Sequence, residues 1–429
     1  MLDIELFRQN LELIKESERK RFKDPKNAEL VLEYDKKWRE ALNKLQELRR
    51  QRNEISKKIG KYKKEGQNDK AEIAIKESTE IKKQIEQLEK KKNEYFELRE
   101  KYRYLVGNII HDSVPIAETE DGNEIIREVG EKPKFNFKPL NHVDLIEIIN
   151  GADTKKAAEI AGSRFYYLKG DLVQLNLALI RFALDILESS GFTPMWTPFF
   201  IKYEVIKAAA ELADFEEMLY KIENEDLFLI ATSEQTLAAF HYDEIIDPEL
   251  LPLKYAGISS CFRREAGSHG KDTLGIFRVH QFEKVEQFVF CKPDKSWEIH
   301  EELISNAEKI YQKLGLPYRI VNIASGELND NAAKKYDLEG WFPASGTYRE
   351  LVSCSNCTDY QARKLKIRMG KIGSSEEKQI LHTLNSTAIA TERTICCILE
   401  NYQEEDHSIR IPQVLQKYMN DKKIIKAIK

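Results

Sequence analysis

The sequence predicts an α+β fold, in which an antiparallel β-sheet domain with helices packed on it follows an N-terminal antiparallel coiled-coil hairpin. Three observations predict it. Apolar residues recur at seven-residue steps in two consecutive stretches. A short polar break separates those stretches. The rest of the chain mixes strands and helices without the βαβ rhythm of a parallel sheet. At 429 residues, with 41% hydrophobic and 33% charged side chains, the chain can fill a large core and still has more charge than one compact body needs. Roughly two or three domains are expected, one of them extended.

In the first stretch Ala41, Leu48, Ile55 and Tyr62 form one heptad series, interleaved with Trp38, Leu45 and Ile59, while Arg52 interrupts the second series. From Lys36 to Lys64 twelve basic residues stand against three acids, whereas the whole chain carries a net charge of -4. After Gly66-Gln67-Asn68-Asp69 the second stretch places Ile81, Leu88, Tyr95, Tyr102 and Ile109 on one stripe, with Ile85 beside it. About 30 residues per helix at 1.5 Å each gives an arm of roughly 45 Å. Such a surface either faces water or a second copy, or it lays its positive side on a phosphate backbone. For the latter reading the candidates are Arg49, Arg50, Arg52, Lys57, Lys58 and Lys61.

The expected organisation is an N-terminal domain over 1–115 with the hairpin at about 33–110, a linker at 116–135 containing Gly122 and Pro133, and the sheet domain at 136–429. In that last part Leu172 to Ser190 reads as a helix closed by Gly191, and Phe192 to Ile201 as an extended segment punctuated by proline. Tyr255 to Phe262 and Gly275 to Phe290 read as strands around the loop Gly267 to Asp272. Thr383 to Thr391 is a strand running into a helix at Arg393 to Tyr402.

Several chemistries drop out. Asp3 and Glu5 stand where a leader peptide would need basic or apolar residues, and no apolar run of about 18 residues occurs, so the cytoplasm is the expected compartment. Cys354 and Cys357 have the spacing of a zinc half-site, but the adjacent Cys396 and Cys397 cannot supply a second spaced pair; buried thiols and no structural zinc are expected. Gly267 to Lys271 lacks the phosphate-loop spacing, and His269 and His280 lack the partners of a catalytic triad. Structural or solvent-facing roles are expected for both histidines.

What remains is the unit Cys261 to Glu286. Alternation along a strand puts Arg263 and Glu265 on one face and Arg264 on the other; Phe282, Lys284 and Glu286 share a face on the return strand. A cation, carboxylates and an aromatic ring gathered this way make a costly core and a good polar ligand site. A surface hairpin with cross-strand salt bridges is the alternative.

These blocks, in their order, resemble the seryl-tRNA synthetases of class II, in a pattern like the eukaryotic cytosolic branch. Thr193 to Pro198 is similar to the first class II motif, Phe262-Arg-Arg-Glu265 through Glu286 to the second, and Leu384 to Arg393 to the third. Thr232-Ser-Glu234, Leu328 to Glu350 and Leu351 to Arg363 resemble blocks specific to serine. Ser386 and Ala388 stand where glycines are common in the family, Thr236 where proline is frequent and Lys364 where arginine is. The resemblance implies a class II synthetase catalytic domain that forms seryl-adenylate from L-serine and ATP, then charges tRNA(Ser), and tRNA(Sec) where it exists. It implies a homodimer, with no membrane or DNA partner.

Residue by residue, the resemblance implies Arg263 and Arg393 as catalytic groups, and a serine pocket of Thr232, Glu234, Arg263, Glu286, Asn385 and Thr387. It implies ATP contacts from Arg263, Arg264, Glu265, Val279, His280, Gln281, Phe282, Glu350, Leu351, Val352, Ser353 and Arg393, with Glu350 and Ser353 also holding Mg2+. The hairpin is implied to grip tRNA. Two rival readings stay open: a synthetase paralogue retained as an RNA-binding module, and a class II enzyme for another amino acid such as threonine.

Overall fold

The computed structural model describes residues 1–209, 218–265, 274–371, 373 and 377–428. The loop Gly267 to Asp272, with His269 and Lys271, and the terminal Lys429 lie outside the described residues. The chain divides into two compact units, one of residues 2–19 and 23–107, the other of residues 1, 20–22 and 108–429.

In the first unit α1 (Lys26–Lys64) and α2 (Asn68–Tyr104) form the antiparallel pair. Their seam is the expected heptad: Leu45, Leu48 and Ile55 pack on Ala74, Ile81 and Ile85. At 39 and 37 residues the helices are about 55 Å long. The first begins before residue 33, and the second ends at Tyr104, which leaves Ile109 outside the stripe. Gly66, at φ +71, allows the reversal that a side chain would strain.

One end of the arm is held differently from its middle. Asp35 is fully buried and takes charge-assisted bonds from Arg8 (2.8 Å), Arg39 (2.9 Å) and Arg99 (3.1 Å), while the Arg99 guanidinium lies 4.8 Å from the Trp38 ring centre. Asp35→Ala strands buried guanidinium charge and is expected to cost about 3 kcal/mol. Urea unfolding followed by helical ellipticity measures that loss.

The second unit is built on an eight-stranded sheet. Its strands are β1 (Glu124–Val129), β2 (Thr193–Trp196), β3 (Leu253–Phe262), β4 (Gln281–Cys291), β5 (Tyr318–Asn322), β6 (Lys334–Phe342), β7 (Thr347–Asn356) and β8 (His382–Ala390). They lie in the order β1-β5-β6-β7-β8-β4-β3-β2. Every pairing is antiparallel except that of β2 with β3 at one edge. The 116–135 segment, expected as a linker, contributes β1 to the other edge; Ile125 and Ile126 stay exposed and Val129 alone of its apolar residues packs on the core, so the segment shows no alternating buried face in the sequence.

Helices α3 (Asp171–Ser189), α5 (Ser296–Leu314) and α6 (Thr391–Asn401) pack on the sheet, and α4 is the short helix Ser233–Ala238. In α3 the residues Leu172, Leu175, Leu179, Phe182 and Ile186 recur at helical spacing and join β4, β7 and β8 in one core. Gly315 ends α5 at φ +66, and a Cβ there would meet the Tyr402 hydroxyl at 2.5 Å, so only glycine fits. All six cysteines are buried free thiols.

Candidate active site

Charged side chains gather where β4, β7 and β8 lie side by side. Along β4, Phe282, Lys284 and Glu286 point into one cavity of about 280 Å³, as alternation requires. On β7 the same face is reached by Ser355, Ser353 and Glu350, an odd spacing made possible by a bulge: Val352 pairs with Leu338 and Glu350 with Glu339, which leaves Leu351 as the extra residue. A second bulge at Ala388 of β8 lets Asn385, Thr387 and Ala390 share that face and delivers Arg393 on the first turn of α6.

Two arginines approach the cavity with fixed geometry. The Arg263 Nε donates to the Ala231 carbonyl at 3.2 Å, and its guanidinium stands 5.2 Å from the Phe282 ring centre. Arg393 Nη1 donates to the Glu350 carbonyl and carboxylate, each at 3.2 Å, and its guanidinium stands 5.1 Å from the Phe277 ring centre. Burial opposes ionisation of Glu350, but Arg393, Lys335 and Arg263 outweigh it and hold this carboxyl down at about 2.

A second cluster lies beside the first. Thr232 caps α4, accepting from the Glu234 N–H at 3.2 Å, and its hydroxyl reaches Glu286 at 3.4 Å. The helix-cap role and a place in the cavity therefore hold together. Glu286 also pairs with Lys284. Glu234 Oε1 accepts amide protons from Gln361 (2.9 Å) and Asn385 (3.0 Å). Desolvation, reinforced by the charge of Glu286, pushes the Glu234 carboxyl up to about 7.

The structure brings Thr232, Glu234, Arg263, Glu265, Val279, Phe282, Glu286, Glu350, Leu351, Ser353, Asn385, Thr387 and Arg393 to one cavity. Four expected members fall outside its lining. Arg264 faces a separate cleft with Tyr203, Tyr220 and Phe228, because adjacent residues diverge. Gln281 points to the opposite side of β4 for the same reason. Val352 is 1% exposed and packs in the core behind β7. His280 places Nδ1 2.8 Å from the Arg263 carbonyl and acts on the main chain of the arginine. Glu265 stands beyond the end of β3 at φ +49 and pairs with Arg278 at 3.5 Å.

Sequence reasoning missed Phe277, Arg278, Lys335 and Glu392, all of which line the cavity. Phe277 and Arg278 precede the strand that starts at Gln281, so strand alternation gives no signal for them. Of the arm candidates, Arg49, Arg50, Lys57, Lys58 and Lys61 are exposed and Arg52 is half-buried. Arg49 bonds Glu89 of α2 at 2.7 Å.

Profiles of known families match both ends of the chain. The seryl-tRNA synthetase N-terminal domain matches residues 1–110, and the class II tRNA synthetase core domain (G, H, P, S and T) matches residues 217–402. The serine–tRNA ligase of Methanosphaera stadtmanae, an archaeon, is 62% identical over 427 residues, covering 100% of both chains. The chain belongs to the seryl-tRNA synthetase family. The cytoplasmic serine–tRNA ligase of Arabidopsis thaliana is 52% identical, covering 98% of this chain and 95% of its own. The crystal structure of seryl-tRNA synthetase from Pyrococcus horikoshii complexed with ATP superposes with a TM-score of 0.94 at 46% identity, covering 100% of each chain. These relatives fit the class II synthetase fold and carry no support for the paralogue reading.

Proposed function

We infer that this protein is an ATP-dependent serine–tRNA ligase, and that the cavity between Arg263 and Arg393 is where seryl-adenylate forms. The observation that carries the reading is the pair of guanidiniums, each beside an aromatic ring, in one cavity with a cluster of carboxylates and amides.

In this reading Phe282 stacks on adenine and Arg393 covers its other face and reaches the γ-phosphate. Arg263 holds the α-phosphate and the serine carboxylate together, since a forked guanidinium can bond two anions at once. The carboxylate is ionised at neutral pH and needs no base. Its oxygen attacks the α-phosphorus, the bond to the bridging oxygen breaks, and pyrophosphate leaves with that electron pair. In the second step a 3′-terminal hydroxyl of the tRNA attacks the seryl carbonyl and AMP leaves. Positioning and charge neutralisation supply the rate.

Glu350 and Ser353 would hold the Mg2+ that accompanies ATP. Both offer hard oxygens to the cavity, and the low Glu350 carboxyl is ionised at any working pH. The cation, when bound, supplies neutralising charge on the phosphate oxygens. Glu234 and Glu286 take the serine ammonium, with Thr232, Asn385 and Thr387 around the side chain. A pocket that hydrogen-bonds the hydroxyl rejects alanine strongly and excludes threonine by shape.

The raised Glu234 gives a pH prediction. Its folded-state pKa exceeds the ordinary 4.5, so its contribution to stability is present at low pH and is lost as pH rises through about 7. Serine binding runs the other way, because an ammonium needs the carboxylate. The apparent KM for serine is therefore expected to rise as pH falls from 8 to about 6, about tenfold per unit below the pKa. A serine KM flat across that window would contradict the placement of the ammonium.

The arm is proposed to bind tRNA(Ser), and tRNA(Sec) where it exists, by shape and backbone. Replacing Lys57, Lys58 and Lys61 together with Ala should spare pyrophosphate exchange and weaken tRNA charging, most strongly at low salt, and leave it with a shallower salt dependence than the wild type. Impaired exchange in that variant would break the division of labour. A homodimer, in the cytoplasm and without membrane or DNA partners, completes the proposal; Trp196 and Phe200, 75% and 51% exposed, and Leu177 support an apolar face for the second copy.

The test of the whole reading is pyrophosphate exchange with purified protein, ATP and Mg2+. Serine should drive it. Background rates with serine, or faster exchange with threonine, would overturn the assignment.

A further inference from the structure

One wall of the cavity is held from behind by a buried arginine. The segment 328–332 brings Asn329 and Asn331 to the lining, both half-buried, and among the described residues neither side-chain amide has a hydrogen-bond partner. Its main chain, in contrast, is fully occupied. Arg21, 3% exposed, donates from Nη1 to the Leu328 and Asn329 carbonyls at 3.3 and 3.1 Å and from Nη2 to the Ala332 carbonyl at 2.6 Å. The Asn108 N–H and side-chain amide take the two carbonyls between, Asp330 at 2.7 Å and Asn331 at 2.9 Å. Arg21 Nη2 also donates to the Asn108 carbonyl at 3.0 Å, which locks the two donors to each other. The Asp330 carboxylate lies 3.9 Å from the guanidinium, on the side away from the cavity.

Register fixes which end of the cavity the two amides enter. Lys335, just beyond the segment, pairs with Ser355 of β7, and Ser355 pairs with Asn385 of β8. The Asn108 amide that holds Asn331 also donates to the Cys357 carbonyl and the Thr358 hydroxyl, each at 2.9 Å, and the Asn385 amide stands 3.6 Å from Cys357 Sγ while bonding Glu234. This is the end of β7 away from Glu350 and Arg393. We propose that Asn329 and Asn331 are further serine-binding residues, and that Arg21 is the positioning residue that aims them. The proposal deepens the reading of this end of the cavity as the serine pocket and rests on it. Each amide offers a donor and an acceptor, which suits a ligand carrying a hydroxyl, a carboxylate and an ammonium. Buried carbonyls gathered this closely need a donor for each, and only a planar fork of N–H groups reaches several at once; a lysine ammonium in its place leaves some unpaired, and the segment turns to find others.

Pyrophosphate exchange by the full-length protein reads the effect, with serine varied at saturating ATP and ATP varied at saturating serine. Asn329→Ala combined with Asn331→Ala should raise the serine KM about tenfold or more and leave the ATP KM within about twofold. Arg21→Lys should give the same split between the two constants. Added to the doubly substituted protein, Arg21→Lys should raise the serine KM by less than about twofold more, because the amides it aims are already gone. A merely structural loss would carry its full effect into that background. Arg21→Gln, which keeps two N–H donors and loses the buried charge, serves in the same cycle if Arg21→Lys does not fold. An unchanged serine KM in the double variant, or an equal rise in both constants, overturns the contact; a fully additive effect of the Arg21 substitution overturns the positioning. No serine-dependent exchange in the wild type overturns the serine pocket beneath both.

Discussion

Arg263→Ala lowers serine-dependent pyrophosphate exchange by about a thousandfold or more, because it removes the group that brings the two reacting anions together. The side chain is placed before any substrate arrives. Its Nε is tied to the Ala231 carbonyl, the guanidinium lies beside Phe282, and the Arg263 main chain is held by His280 and by the edge of the strand hairpin. Lysine does not rescue it, since a single ammonium cannot bond carboxylate and phosphate in one plane. Exchange in the alanine variant at the wild-type rate would mean that the α-phosphate lies elsewhere.

Glu286→Gln raises the serine KM about a hundredfold, with a smaller effect on the KM for ATP. Glu286 is 2% exposed, pairs with Lys284 and bonds Thr232. Glutamine keeps the shape and loses the charge, so Lys284 is left to repel the incoming ammonium. Steady-state exchange kinetics, varying serine and ATP separately, separate the two constants. An unchanged serine KM would remove Glu286 from the amino-acid pocket.

Much of this site was legible because strand alternation is local. Phe282, Lys284 and Glu286 announce a shared face in the sequence, and the structure puts them on it. The heptads likewise specify the arm, since the seam needs no information from elsewhere in the chain. What stayed hidden depends on irregularity or distance. Glu350 and Ser353 share a face only through the bulge at Leu351, which alternation cannot foresee. Val352, Gln281 and Arg264 sit among true cavity residues in the sequence yet turn away, each for want of the right parity. Arg21 has no local signal at all: its side chain donates to the carbonyls of Asn108, Leu328, Asn329 and Ala332, and so clamps the segment that carries the cavity residues Asn329 and Asn331. The edge strand at Glu124–Val129 was obscured because its side chains remain largely exposed.

A crystal structure of the protein with a non-hydrolysable seryl-adenylate analogue decides whether Arg263 and Arg393 frame the site where serine meets ATP. The Arg263 guanidinium should lie within hydrogen-bonding distance of the analogue's phosphate-mimicking group, adenine between Phe282 and Arg393, and the serine ammonium against Glu234 and Glu286. An analogue bound outside this cavity, or bound in it with Arg263 turned away, would mean that seryl-adenylate does not form between the two arginines.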